Sequence, residues 1–257
     1  MNPPRAFQIC LLACGLLLSG VTGAATAAAW TYHEGWFGSR VTGSGKVVTE
    51  ARAVGSFQAI SAAGVSKVVL RQGNREGASV TGDDNIVPLI ETRVVDGKRG
   101  KTLEIGVRTG SGYTTDTEIV VTVDFKSLSA IATSGSTDVE ADAIKAADLA
   151  VSIAGSGDIR LGTLTADELK VSVAGSGDFT ARGQVGSEQI SVAGSGDVKT
   201  QRLEAMRVKV SIAGSGTVRV AAREELNVSI AGSGDVIYSG EPRVTKSVVG
   251  SGSVQRR

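Results

Sequence analysis

Histidine, proline and aromatic residues are scarce in this 257-residue chain, which has one His, four Pro, five Phe, three Tyr and two Trp. Cysteine occurs twice, at Cys10 and Cys14. A lone imidazole, His33, leaves nothing from which to build a His-based metal site or the base of a hydrolytic triad. With little proline and no three-residue period, the chain is not collagen-like. Charge of one sign is also missing. The 27 Lys and Arg nearly cancel the 26 Asp and Glu, so there is no electrostatic footprint for nucleic acid. Glycine is the residue in excess, at 34 positions, well above the usual share of about 7%. A hydrophobic content of 41% is too high for a disordered chain.

The first 29 residues read as a secretory leader. Arg5 supplies a positive start, an apolar run follows from Ala6 to Leu18, and small residues dominate to Ala29. Ala25-Thr-Ala27 and Ala27-Ala-Ala29 both fit a small-x-small cleavage site. The apolar run is too short for a membrane span, so no transmembrane segment is expected once the leader is removed. Both cysteines lie within it, which removes disulfides and thiolate chemistry from the mature chain. Leu11-Leu-Ala-Cys14-Gly15 also resembles a lipoprotein processing box. The apolar run continues through Leu16–Leu18, which weighs against lipidation of Cys14. The sequence therefore predicts export to the periplasm or cell surface.

The second half repeats one phrase. It occurs as Val151-SIAGSGDI-Arg160, Val171-SVAGSGDF-Thr180, Ile190-SVAGSGDV-Lys199, Val210-SIAGSGTV-Arg219, Val228-SIAGSGDV-Ile237 and Lys246-SVVGSGSV-Gln255. Its first glycines are Gly155, Gly175, Gly194, Gly214, Gly232 and Gly250. Its second are Gly157, Gly177, Gly196, Gly216, Gly234 and Gly252. The period is 18–20 residues. A degenerate copy precedes these at Ile131-ATSGSTDV139.

Read as columns, the copies alternate apolar and polar: Val151, Ser152, Ile153, then a turn, then Ile159. That period of two is a strand with one face buried. A unit this short cannot bury its apolar face alone, and stacking equivalent units does. The sequence thus predicts an all-β, right-handed parallel β-solenoid with 18–20-residue coils and a less regular N-terminal half. In that half, residues Phe57–Ile60, Lys67–Gln72, Ala78–Thr81, Thr102–Val107 and Glu118–Asp124 read as strands. Ile86–Thr92 reads as a short helix or an outward strand. Residues 30–53 are poorly patterned, and one β domain is expected over 54–257. Lys246 breaks an inward column in the last copy, as the polar end of a stack requires.

These features resemble the family called putative auto-transporter adhesin, head GIN domain. The resemblance runs from about Arg52 to Val254. It rests on Gly55–Ile60, Val68–Gly73, Asp84–Ile86 and Leu103–Ile105, joined to the repeated Gly-Ser-Gly-Asp turns. It implies an exported bacterial protein with a parallel β-helical or β-roll fold and a role in adhesion. It brings no catalytic residue and no cofactor.

Three clusters are candidates for chemistry. Asp158, Asp178, Asp197 and Asp235, with Asp138 before them, form a column of carboxylates that a Ca²⁺ ion can relieve of repulsion. Equally, each Asp can cap its turn by accepting backbone N–H groups. Thr217 and Ser253 stand in the same column and keep the oxygen without the charge, which favours capping. The serines from Ser152 to Ser247 and from Ser156 to Ser251 form polar ladders suited to a carbohydrate or protein surface. Trp30, Tyr32, Trp36 and Phe37 cluster near the new N-terminus as a stacking surface or a cover for the first coil. Three function classes follow. One is a non-enzymatic envelope protein that binds an unidentified protein or carbohydrate. The second is a carbohydrate-active β-helix enzyme. The third is a scaffold whose coils stack end to end as a homo-oligomer.

Overall fold

The computed structural model describes residues 40–97 and 100–257. The leader, both cysteines, His33 and the aromatic cluster at 30–37 lie outside these. In chain order the strands are β1 (Arg40–Thr42), β2 (Val47–Arg52), β3 (Ala59–Ala63), β4 (Lys67–Gln72), β5 (Gly77–Asp83), β6 (Ile90–Gly97), β7 (Gly100–Val107), β8 (Gly112–Thr114), β9 (Val120–Phe125) and β10 (Ala130–Gly135). They continue as β11 (Asp138–Lys145), β12 (Asp148–Gly155), β13 (Ile159–Gly175), β14 (Phe179–Gly194), β15 (Val198–Gly214), β16 (Thr217–Gly232), β17 (Asp235–Ser239), β18 (Arg243–Gly250) and β19 (Ser253–Arg256). Among the described residues no helix is long and apolar enough to cross a membrane.

From β10 onward the chain is a parallel solenoid in which most strand residues pair with their equivalents one coil away, with register shifts where the coils differ in length. Val151 lies opposite Val171, which lies opposite Ile190, Val210, Val228 and Lys246 in turn. Within β13 the buried residues are Ile159, Leu161, Leu164, Ala166, Leu169, Val171 and Val173. Their alternation restarts after Gly162-Thr163 and again after Asp167-Glu168, so the strand bends twice. The Gly-Ser-Gly corner adds a third bend, and each coil closes around a buried apolar interior. The branched apolar columns fill it, each fully buried side chain contributing roughly 1.5–3 kcal/mol.

The N-terminal half joins the same stack, but not in chain order. On one side the strands run β6, β7, β3, β10, β12, so the β3 layer lies between β7 and β10. On the other they run β2, β5, β9, β4, β11. The outermost pairings, β6–β7, β2–β5 and β5–β9, are antiparallel. They cannot continue a parallel stack, so they cap it. Residues 40–52, unpatterned in sequence, hold β1 and β2. The strand read at Phe57–Ile60 starts at Ala59 and runs to Ala63, with Phe57 buried just ahead of it. Residues 86–92 divide into a 3₁₀ turn, Val87–Leu89, and the start of β6.

The repeated corner is fixed by contact between coils. The Gly155 carbonyl accepts the N–H groups of Ser176 (2.9 Å) and Gly177 (3.0 Å) from the next coil, and the Gly135 and Gly175 carbonyls do likewise for their neighbours. Gly155 has φ +135, open to glycine and little else. The second glycine is required for a different reason. Its φ is ordinary, but a Cβ on Gly157 would overlap the Thr137 carbonyl oxygen, and one on Gly177 would overlap that of Gly157. Gly177→Ala therefore forces two coils apart and is expected to lower stability by about 3 kcal/mol or more in a denaturant melt. Gly73→Ala, where a Cβ meets open space, is expected to stay within about 0.5 kcal/mol.

Candidate functional site

The aspartate column lies just past each corner. Asp138 Oδ1 accepts the backbone N–H of Asp158 (2.8 Å), Asp158 Oδ1 that of Asp178 (2.9 Å), and Asp178 Oδ1 that of Asp197 (3.0 Å). Asp197 Oδ1 accepts the N–H of Thr217 (3.0 Å). Thr217 offers no carboxylate to the coil above, and there the Asp235 N–H turns to the Gly216 carbonyl (3.2 Å). Asp235 Oδ1 then accepts both the N–H (3.0 Å) and the hydroxyl (2.6 Å) of Ser253. Each carboxylate thus serves the coil above it.

The other carboxylate oxygens face cations two columns along. Asp158 Oδ2 pairs with Arg160 (2.6 Å), and Asp178 Oδ2 with Lys199 (2.6 Å). Asp197 Oδ2 lies between Lys199 (3.7 Å) and Arg219 (3.8 Å). The hydrogen bond to Asp178, with the charges of Asp178 and Asp197, holds the Lys199 ammonium above its ordinary pKa. Repulsion along the carboxylate stack is therefore met by a parallel stack of side-chain cations. Among the described residues no three His, Cys, Asp or Glu side chains gather around one point.

The first serine ladder is outward and exposed: Ser152, Ser172, Ser191, Ser211, Ser229 and Ser247 lie in register. Two residues along, Ala154, Ala174, Ala193, Ala213 and Ala231 form a second lane that ends at Val249. Together they make a flat face of small side chains. The turn serines, Ser156 to Ser251, are exposed at the corner.

One residue of consequence carries no motif. Glu188 occupies the inward column of Leu169, Val208 and Leu226. It is 2% exposed, and neither carboxyl oxygen has a hydrogen-bond partner. Burial pushes its pKa up to about 8. The Thr200 hydroxyl, which offsets part of that push, is turned to the Arg219 carbonyl at 3.3 Å. Reading the column vertically would have exposed this one acid among leucines and valines.

The family described as putative auto-transporter adhesin, head GIN domain, matches the chain over residues 56–242. Among solved structures, a putative adhesin from Bacteroides fragilis superposes with a TM-score of 0.77 at 25% identity, covering 84% of this chain and 100% of its own. A putative lipid binding protein from Parabacteroides distasonis gives 0.70 at 27% identity, covering 85% and 100%. A putative adhesin from Parabacteroides merdae gives 0.66 at 23%, covering 85% and 99%. No curated protein matches.

Two substitutions test this geometry. Asp178→Asn keeps an acceptor for the Asp197 N–H and is expected to change stability by less than about 1 kcal/mol, whereas Asp178→Ala orphans that N–H and is expected to lose about 1–2 kcal/mol. Stabilisation of the native protein by Ca²⁺ that either variant abolishes would instead mark the column as a metal site. For Glu188, the native carboxyl holds its proton between pH 4.5 and about 8 while the unfolded one releases it. Stability therefore falls as pH rises through that window. Glu188→Leu is expected to remove this slope and to raise the melting temperature by about 10 °C at pH 8, less at pH 5.

Proposed function

Because the chain belongs to the putative auto-transporter adhesin, head GIN domain family, we propose that it is an exported, non-enzymatic adhesin-like protein of the cell envelope that attaches through its flat Ser–Ala face. The carrying observation is the register of that face. Six exposed serines and the neighbouring alanine lane repeat at the strand spacing of about 4.8 Å, two adjacent lanes of small side chains flanked on one side by the longer Lys170, Gln189 and Lys209 and closed at the last coil by Val249. A polymer or protein surface with its own short repeat can meet it at many equivalent points, and many weak contacts sum to firm attachment. The non-enzymatic reading is supported by how the acids are used. The column supplies at most one acid per coil, each accepting a backbone N–H from the next coil and most meeting a cation, whereas glycoside hydrolysis needs a facing carboxyl pair. The Bacteroides fragilis structure, 25% identical to this chain, is named a putative adhesin, which supports the same reading.

Beads coated with the full chain test the reading under flow over immobilised envelope glycans and matrix proteins. Wild-type beads are expected to be retained well above albumin-coated beads. A Ser172→Glu, Ser191→Glu, Ser211→Glu triple variant with an unchanged melt is expected to lose at least fivefold of that retention. Retention no better than albumin, or hydrolysis of an offered glycan, would overturn the proposal.

A further inference from the structure

A second surface feature arises where the coils change length. The coil entered at Val198 spans 20 residues between first glycines, and the two after it span 18. The pairing of β15 with β16 shows where the difference falls. Thr200 lies opposite Val220 and Glu204 opposite Ala221, so residues 201–203 have no partner in the coil above. The longer coil projects there, the shorter ones step back, and a groove of about 410 Å³ opens along the stack. Gln201 forms its shelf. Val220, Ile237, Tyr238 and Ser239 line it from the next two layers, with Arg219 and the terminal Gln255, Arg256 and Arg257.

The chemistry of this lining is one-sided. Three arginines line the groove and no Asp or Glu side chain does. Arg219 reaches Asp197 only at 3.8 Å. Arg256 pairs at 2.7 Å with Glu241, itself 83% exposed and easily exchanged for another anion. The Arg257 side chain makes no ion pair among the described residues. Guanidinium groups bind carboxylates through paired N–H donors. The half-buried Tyr238 ring offers an apolar surface with a polar tip, and Gln201, Gln255 and Ser239 supply hydroxyl-bonding groups. The groove crosses four layers about 4.8 Å apart, close to the length of one pyranose ring. The apolar lining is confined to Val220, Ile237 and the Tyr238 ring, and the exposed large hydrophobic residues Val47, Met206, Val248 and Val249 lie outside the groove, so the apolar surface is a patch for one ring rather than a track for acyl chains.

We propose that this groove binds a carboxylated glycan, a chain of uronic acid units laid along the solenoid axis with its carboxylates on Arg219, Arg256 and Arg257 and a sugar ring on Tyr238. It is a site separate from the Ser–Ala face, and the two fail independently. Calorimetric titration of the full chain with hexamers of galacturonate, mannuronate and hyaluronan tests it. At least one is expected to bind, its methyl ester at least tenfold more weakly. Arg219→Gln and Arg257→Gln are each expected to weaken binding about tenfold at unchanged melting temperature, while Lys170→Gln, away from the groove, leaves it intact. Equal binding of acid and ester, insensitivity to both arginine substitutions, or no binding by any of the three would overturn the proposal without touching the bead assay. Arginine-dependent binding to vesicles of anionic lipid, with no glycan bound, would overturn it in favour of a headgroup site.

Discussion

Everything in the second half depends on how closely one Gly-Ser-Gly corner sits on the next. The first glycine's carbonyl takes N–H groups from the coil above, and the second glycine leaves no room between its own Cα and the carbonyl below. One turn thus fixes both the conformation of a coil and its distance from its neighbour. With that spacing set, the branched columns fall into contact, the serines fall into line, and the aspartates come within reach of the next backbone.

The aspartate column shows how a stack of like charges is tolerated. Asp158, Asp178 and Asp197 each divide their two oxygens between different tasks. One accepts an N–H from the coil above, which favours the ionised form, and the other meets a cation. Where threonine interrupts the column, the backbone above finds a carbonyl instead, so the chain of bonds bends without breaking. Glu188 is the contrary case. It lies in the interior with neither an N–H nor a cation at hand, and its neutral form is what the core accommodates.

The coils were legible because β-branched residues recur at fixed positions, and a period of two marks a buried face regardless of partner. The strand at Lys67–Gln72 was legible for the same reason. The order of the N-terminal layers was not, because nothing local tells β3 that it will lie between β7 and β10. That order is set by which antiparallel strands cover the end. The role of the aspartates was half visible. Sequence placed them in a column able to accept N–H groups, but the groups they accept belong to residues 18–20 positions later. The groove was invisible, since it arises from a two-residue change in coil length and gathers Gln201 with Arg257 from opposite ends of the last four layers.

Pairing each coil only with its neighbours also determines how the solenoid responds to tension. A pull on the end carried by β18 and β19 loads the last coil's bonds one after another rather than together, and its release leaves the coil beneath in the same exposed position. Each step frees 18–20 residues, roughly 65 Å of extended chain. A stack of this construction would lengthen under load in steps of one coil, each nearly the size of the last.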